Sequence, residues 1–87
     1  MKFRNLCISN PLRFAIGIEE DSGKYYLSIP VSNQLVDYEE YYEISDTEFK
    51  LFEKNLEDAR VLADRCKKRL ENFRLLQKPG KMRGIPT

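Results

Sequence analysis

The four residues Ser45-Asp46-Thr47-Glu48 divide this chain into two halves with different hydrophobic periods. Before them, apolar and polar residues alternate, the period of a strand with one buried face. After them, apolar residues recur every three or four positions, the period of an amphipathic helix. The four residues themselves fit a capping box. The Ser45 hydroxyl can accept from the Glu48 amide while the Glu48 carboxylate reaches back to the Ser45 amide. A chain of 87 residues that changes period once is expected to form a single α+β domain. Three antiparallel strands over about 12–44, with the N-terminal segment as an optional fourth, would pack on one long helix over about 46–77, followed by a basic tail, 78–87.

In the first half, Phe14, Ile16 and Ile18 alternate with Ala15 and Gly17, and Glu20-Asp21-Ser22-Gly23 supplies turn residues. Tyr25, Leu27, Ile29 and Val31 then alternate with Tyr26, Ser28, Pro30 and Ser32, which completes a β-hairpin. Pro30 has no amide hydrogen, so its nitrogen must face an edge or a bulge. The third strand runs Val36-Asp37-Tyr38-Glu39-Glu40-Tyr41-Tyr42-Glu43-Ile44. Strict alternation turns Val36, Tyr38, Tyr42 and Ile44 inward, and Glu40 with them. Either a bulge near Glu39-Glu40 shifts the faces, or Glu40 finds a partner at the end of the sheet.

In the second half, Phe49, Phe52, Leu56, Ala59, Ala63, Cys66, Leu70 and Phe73 form the apolar stripe, and Pro79-Gly80 ends the helix. About thirty helical residues would span about 45 Å. A strand of eight residues spans only about 26 Å. The helix would overhang the sheet, leaving Cys66, Leu70 and Phe73 to be covered. The segment Phe3-Leu6-Ile8 is the favoured cover, and a second copy of the chain is the rival.

The charges separate as the periods do. Residues 1–48 carry four basic residues against nine acids, a net of −5, and residues 49–87 carry eleven against five, a net of +6. Such separation marks either a binding surface or two layers that complement each other within one domain. The chain has no histidine, hence neither the commonest general base nor the commonest metal ligand. It has no Gly-rich phosphate loop, and Cys7 and Cys66 lack the Cys-x-x-Cys spacing of zinc and redox sites. The expectation is a protein that is not an enzyme, takes no cofactor or metal, and keeps both thiols reduced in the cytoplasm. No apolar run suits a membrane span. Nucleic acid is an unfavoured partner: Arg65-Cys66-Lys67-Lys68-Arg69 and the tail are basic, but no aromatic platform accompanies them and the acidic sheet repels the same polymer.

The outward face of the sheet is the strongest candidate site. Tyr26 and Tyr41 supply flat anchors, Asp37, Glu39 and Glu43 supply charge, and Ala15, Gly17 and Ser28 keep the middle low. These five tyrosines and acids are the expected contacts to a basic protein partner, set against an ordinary solvated face.

The runs Lys24-Tyr25-Tyr26-Leu27-Ser28-Ile29-Pro30-Val31-Ser32-Asn33 and Val36 to Ile44, with the ending Leu75-Leu76-Gln77-Lys78-Pro79-Gly80-Lys81-Met82-Arg83-Gly84-Ile85-Pro86, resemble small bacterial immunity proteins of polymorphic toxin systems, including those of contact-dependent growth inhibition. Such proteins share no single fold, so the resemblance implies none. It implies instead a cognate toxin domain as partner, a nuclease in many cases, whose basic cleft the immunity protein would block. The alternatives are a homodimeric structural or regulatory protein joined through Cys66, Leu70 and Phe73, and a small nucleic-acid binder using the basic helix end and tail.

Overall fold

A computed structural model describes residues 1–87. It is α+β: an open antiparallel sheet with two short helices on one face. The strands are β1 (Phe3–Ser9), β2 (Phe14–Glu19), β3 (Lys24–Ser32), β4 (Asp37–Ile44) and a short β5 (Ile85–Pro86), and the helices are α1 (Asp46–Lys54) and α2 (Arg60–Lys67). The order across the sheet is β1-β2-β3-β4. β2 pairs with β3 from Lys24 to Ser28, and β5 takes the same side of β3 at Val31 and Ser32. Pro30 lies between those pairings, and its carbonyl accepts the Thr87 amide. Its ring nitrogen therefore faces the gap between β2 and β5, where no ladder bond is lost.

The alternation across β3 and β4 is unbroken: Leu27 pairs with Tyr42, Ile29 with Glu40 and Val31 with Tyr38. No bulge occurs at Glu40, which points inward with Tyr42. The core lies between this face and the helices and contains Phe14, Ile16, Leu27, Ile29, Val31, Tyr42, Ile44, Phe49, Phe52, Ala59, Ala63 and Cys66.

The capping box at Ser45 and Glu48 forms as the sequence predicts, with both reciprocal bonds present. The long helix does not. It breaks at Asn55, which ends α1 and whose side chain accepts from the Glu57 amide to start a 3-10 turn, Leu56–Ala59. α2 then ends at Lys67 in a Schellman closure: Arg69 donates to the Cys66 carbonyl and Leu70 to that of Arg65. The break lets both helical pieces lie on the sheet, so there is no overhang. Cys66 is buried in the chain's own core, while Leu70 and Phe73 are exposed, so those three do not form one face. The segment Phe3-Leu6-Ile8 is not a cover for the helix but part of an edge strand. Leu6 is an extra residue between the Asn5–Gly17 and Cys7–Ile16 pairs, and this bulge returns Cys7 to the core side.

The tail is not loose. Arg83 inserts beside Glu40, the Gly84 amide donates to the Tyr38 hydroxyl, and Asn33 donates to the Met82 carbonyl. A Cβ on Gly84 would sit 2.8 Å from the Ser32 backbone, so the closeness of this strap requires glycine. The two non-glycine residues with positive φ are both arginines, Arg13 and Arg69. Their guanidinium groups both bond this strap, at Thr87 Oγ1 and at the Gly84 carbonyl. No helix is long and apolar enough to cross a membrane.

Candidate partner-binding face

The face of the sheet away from the helices curls on itself. β1 and β4 lie three strand spacings apart, about 14 Å in a flat sheet. Yet the Phe3 ring of β1 stacks on the Tyr41 ring of β4 with centroids 3.6 Å apart. Tyr26 fills the space beneath, edge-on to both rings, and its hydroxyl donates to Asn5 Oδ1 at 2.6 Å. Gly17 makes room for it, because a Cβ there would come within 2.6 Å of the Tyr26 oxygen. Tyr26, expected as an exposed anchor, is on the outward face but has no accessible surface. Burial, then the charges of Tyr41 and Glu39, raise its pKa.

Tyr41 is half-buried, and its outer edge meets Glu39, whose carboxylate accepts from the Tyr41 hydroxyl at 3.3 Å. Burial and the Glu39 charge push this phenol up to about 12, so it stays a donor at neutral pH. Asp37 and Glu39 project from the rim and are exposed. The Ser32 hydroxyl donates to Asp37 at 2.6 Å. Neither acid has a basic group within ion-pair distance, whereas Glu43 is 3.7 Å from Lys24 Nζ. Of the five expected residues, Asp37, Glu39, Tyr41 and Glu43 are accessible, Glu43 already engaged by Lys24, and Tyr26 is buried beneath them.

The other prominent acids are matched inside the chain. Glu40 accepts Arg83 Nε at 2.7 Å, Arg83 Nη2 at 3.1 Å and the Tyr42 hydroxyl at 2.7 Å. Burial pushes its carboxyl up, but the bonds from Arg83 and Tyr42 outweigh that and hold it below the usual range. Arg74 bridges Glu71 and Glu48 and also donates to the Glu43 carbonyl. Glu19 takes the amides of Lys2, Asp21 and Ser22, and contacts with Ser22 first, then with the other two amides, hold it at about 2. Three of the four cations in the run 65–69 are engaged: Arg65 pairs with Glu71, Lys67 donates to the Leu12 carbonyl and Arg69 to that of Gly84, while Lys68 is exposed. Part of the charge separation in the sequence is therefore neutralised within the fold; Asp37 and Glu39 are the strand acids left over, while Asp46, Glu53, Glu57, Asp58 and Asp64 stay exposed on the helical side.

Glu39 borders a small hollow against Gln77 to Gly80, and two larger hollows open at this end of the sheet. One, of about 230 Å³, lies between Glu39 and the β1–β2 hairpin, over Ala15 and Pro30. The other, of about 380 Å³, lies beyond Ser32 and is walled by Met82 and Ile85 of the strap. Leu35, Val36, Met82 and Ile85 are all exposed at this end of the sheet. The sequence reading missed this apolar rim, since it placed the strap in a free tail; the ending Gly84-Ile85-Pro86, apolar in a basic segment, was the signal that could have found it. Comparison of the chain with protein-family models, curated proteins and solved structures finds no match.

Proposed function

We propose that this protein is an immunity protein that binds a cognate toxin domain through the outward face of β4 and blocks its active site or substrate cleft. One observation carries the reading: Asp37 and Glu39 are exposed and without an ion pair on strands whose other acids, Glu19, Glu40 and Glu43, are bonded to backbone amides or to a cation. Unpaired acids beside a rigid tyrosine and an apolar rim suit a basic protein surface, with charge setting the encounter rate and the rim supplying the anchor. The backbone favours the same stretch. The outer edge of β4 is closed at Tyr41 by the Leu76 amide and at Glu43 by Arg74, while no backbone bond reaches Asp37 or Glu39 from that side. The resemblance to immunity proteins makes a nuclease the expected toxin, with a cleft built for phosphates that carboxylates can occupy.

The experiment is a pull-down of the purified product of the gene immediately upstream, followed by binding kinetics. The wild type should bind it and suppress its activity. Asp37→Lys with Glu39→Lys should lower the association rate at low salt by about tenfold or more. An upstream product that neither binds nor is inhibited removes the proposal. Kinetics unchanged by the double reversal would remove this face from it.

A further inference from the structure

The hollow beside Glu39 has a chemistry that the acidic rim alone does not. Its walls are Ile8 and Asn10 of the hairpin on one side and the Glu39 carboxylate on the other, with Ala15 and Pro30 as floor. Asn5 stands at one end, oriented by the Tyr26 hydroxyl. Arg13 also borders the hollow, but its guanidinium is turned to Thr87 Oγ1 and leaves Glu39 uncompensated. On the same face Ser28 sits between Ala15 and Tyr41, its hydroxyl fully buried and without any hydrogen-bond partner. Buried hydroxyls without a partner are rare and costly, and this one lies under the same face two positions along β3 from Pro30, the cross-strand neighbour of Glu39.

We propose that the hollow is a site for one arginine side chain of the partner protein. The methylenes would lie on Ile8, Ala15 and Pro30, and the guanidinium would meet Glu39. Arginine fits better than lysine. Its planar fork presents five donors and can serve Glu39 and a second acceptor together, whereas an ammonium is a strongly hydrated point charge. A phosphate or carboxylate ligand would meet Glu39 head-on. The identity of the arginine's owner rests on the immunity reading, but the site can be tested without it.

The test is a titration of isotopically labelled protein, followed by backbone amide NMR, with N-acetyl-arginine amide, N-acetyl-lysine amide and N-acetyl-glutamate amide. The arginine probe should give saturable shifts confined to Asn5, Ala15, Ser28 and Glu39, stronger than those from lysine and lost in Glu39→Gln. The glutamate probe should give none. Ile8→Arg, at an exposed position that tolerates charge, should fill the hollow from within and abolish the same shifts at an unchanged melting temperature. Against the upstream gene product, both variants should weaken binding at least tenfold. Absent or scattered shifts, or equal shifts from the glutamate probe, overturn the arginine site, and tight binding of the upstream product would leave the immunity reading standing. Localised arginine shifts with no binding of that product would instead keep the site and overturn the reading.

Discussion

Glu39 and Glu40 are neighbours on β4 with the same side chain, and they meet opposite surroundings. Glu40 lies on the core side, where Arg83 from the strap reaches it at 2.7 Å and Tyr42 donates to it. Glu39 lies on the outward side, exposed, with the Tyr41 hydroxyl as its hydrogen-bond donor and no ion pair. One acid helps hold the fold closed and the other faces outward uncompensated. The difference teaches how to read a cluster of acids: composition cannot separate the two uses, whereas the location of the matching cations can.

The largest expected effect breaks the inner side of this comparison. Arg83→Met leaves a buried carboxylate without its cation, which costs on the order of 3 kcal/mol. For a chain of this size that lowers the melting temperature by about 15 °C. Replacing both partners, as Glu40→Leu with Arg83→Met, should restore most of the loss, because the uncompensated charge goes with it. The pH dependence should also change sign. In the wild type the lowered Glu40 value contributes stability above the ordinary carboxylate value of 4.5, and that stability is lost as pH falls through the folded value. In Arg83→Met, burial dominates and raises the same carboxyl, so the contribution of this site grows as pH falls. Urea midpoints of the two proteins between neutral and acid pH check this. Glu19, Glu48 and Glu71 are lowered in both, so their acid loss cancels in the difference. Parallel curves would show that Arg83 is not what holds Glu40 ionised.

A smaller effect tests the outward side as packing rather than charge. Gly17→Ala would drive a methyl into the Tyr26 ring and the Arg4 carbonyl. Overpacking of this kind costs about 2 kcal/mol, and near-ultraviolet circular dichroism should report the disturbed aromatic trio. An unchanged spectrum at full stability would mean that the face is looser than its ring stacking suggests.

Smaller again is the pair Arg69→Gly and Arg69→Ala. Both lose the bond to the Gly84 carbonyl, but only alanine keeps a Cβ at φ 60°. Glycine should be the more stable of the two by about 1 kcal/mol, measured by urea denaturation. The smallest change in stability is expected for Asp37→Lys with Glu39→Lys, below about 0.5 kcal/mol, since each acid makes no ion pair and only one exposed side-chain hydrogen bond. That variant should separate binding from folding, losing partner association while melting like the wild type. A large loss of stability would return both acids to the structural side.

Legibility followed locality. The hairpin, the third strand, the capping box and the inward side of Cys66 rest on residues within a few positions of one another, and all are present. The break at Asn55 was also local, since asparagine followed by Glu57 and Asp58 is an N-cap pattern, but a continuous apolar stripe outweighed it. β1 was legible only as an optional fourth strand, because the extra residue Leu6 shifts its alternation halfway, so neither period is sustained. The burial of Tyr26 could not be read at all. It depends on Phe3 and Tyr41 closing over Gly17 from opposite edges of the sheet.

By itself the sequence determined where the period changes, which residues of each strand share a face, and that the acids of one half have cations to meet in the other. Those properties follow from backbone geometry and from the chemistry of each side chain. Only the tertiary structure decided which acids are met. Arg83 is 43 residues beyond Glu40 in the chain, and Phe3 is 38 residues before Tyr41. Such pairings arise from the curl of the sheet and the path of the strap, which no short window of sequence contains. Among the acids of the strands, Asp37 and Glu39 stand out only once the partners of Glu19, Glu40 and Glu43 are in place.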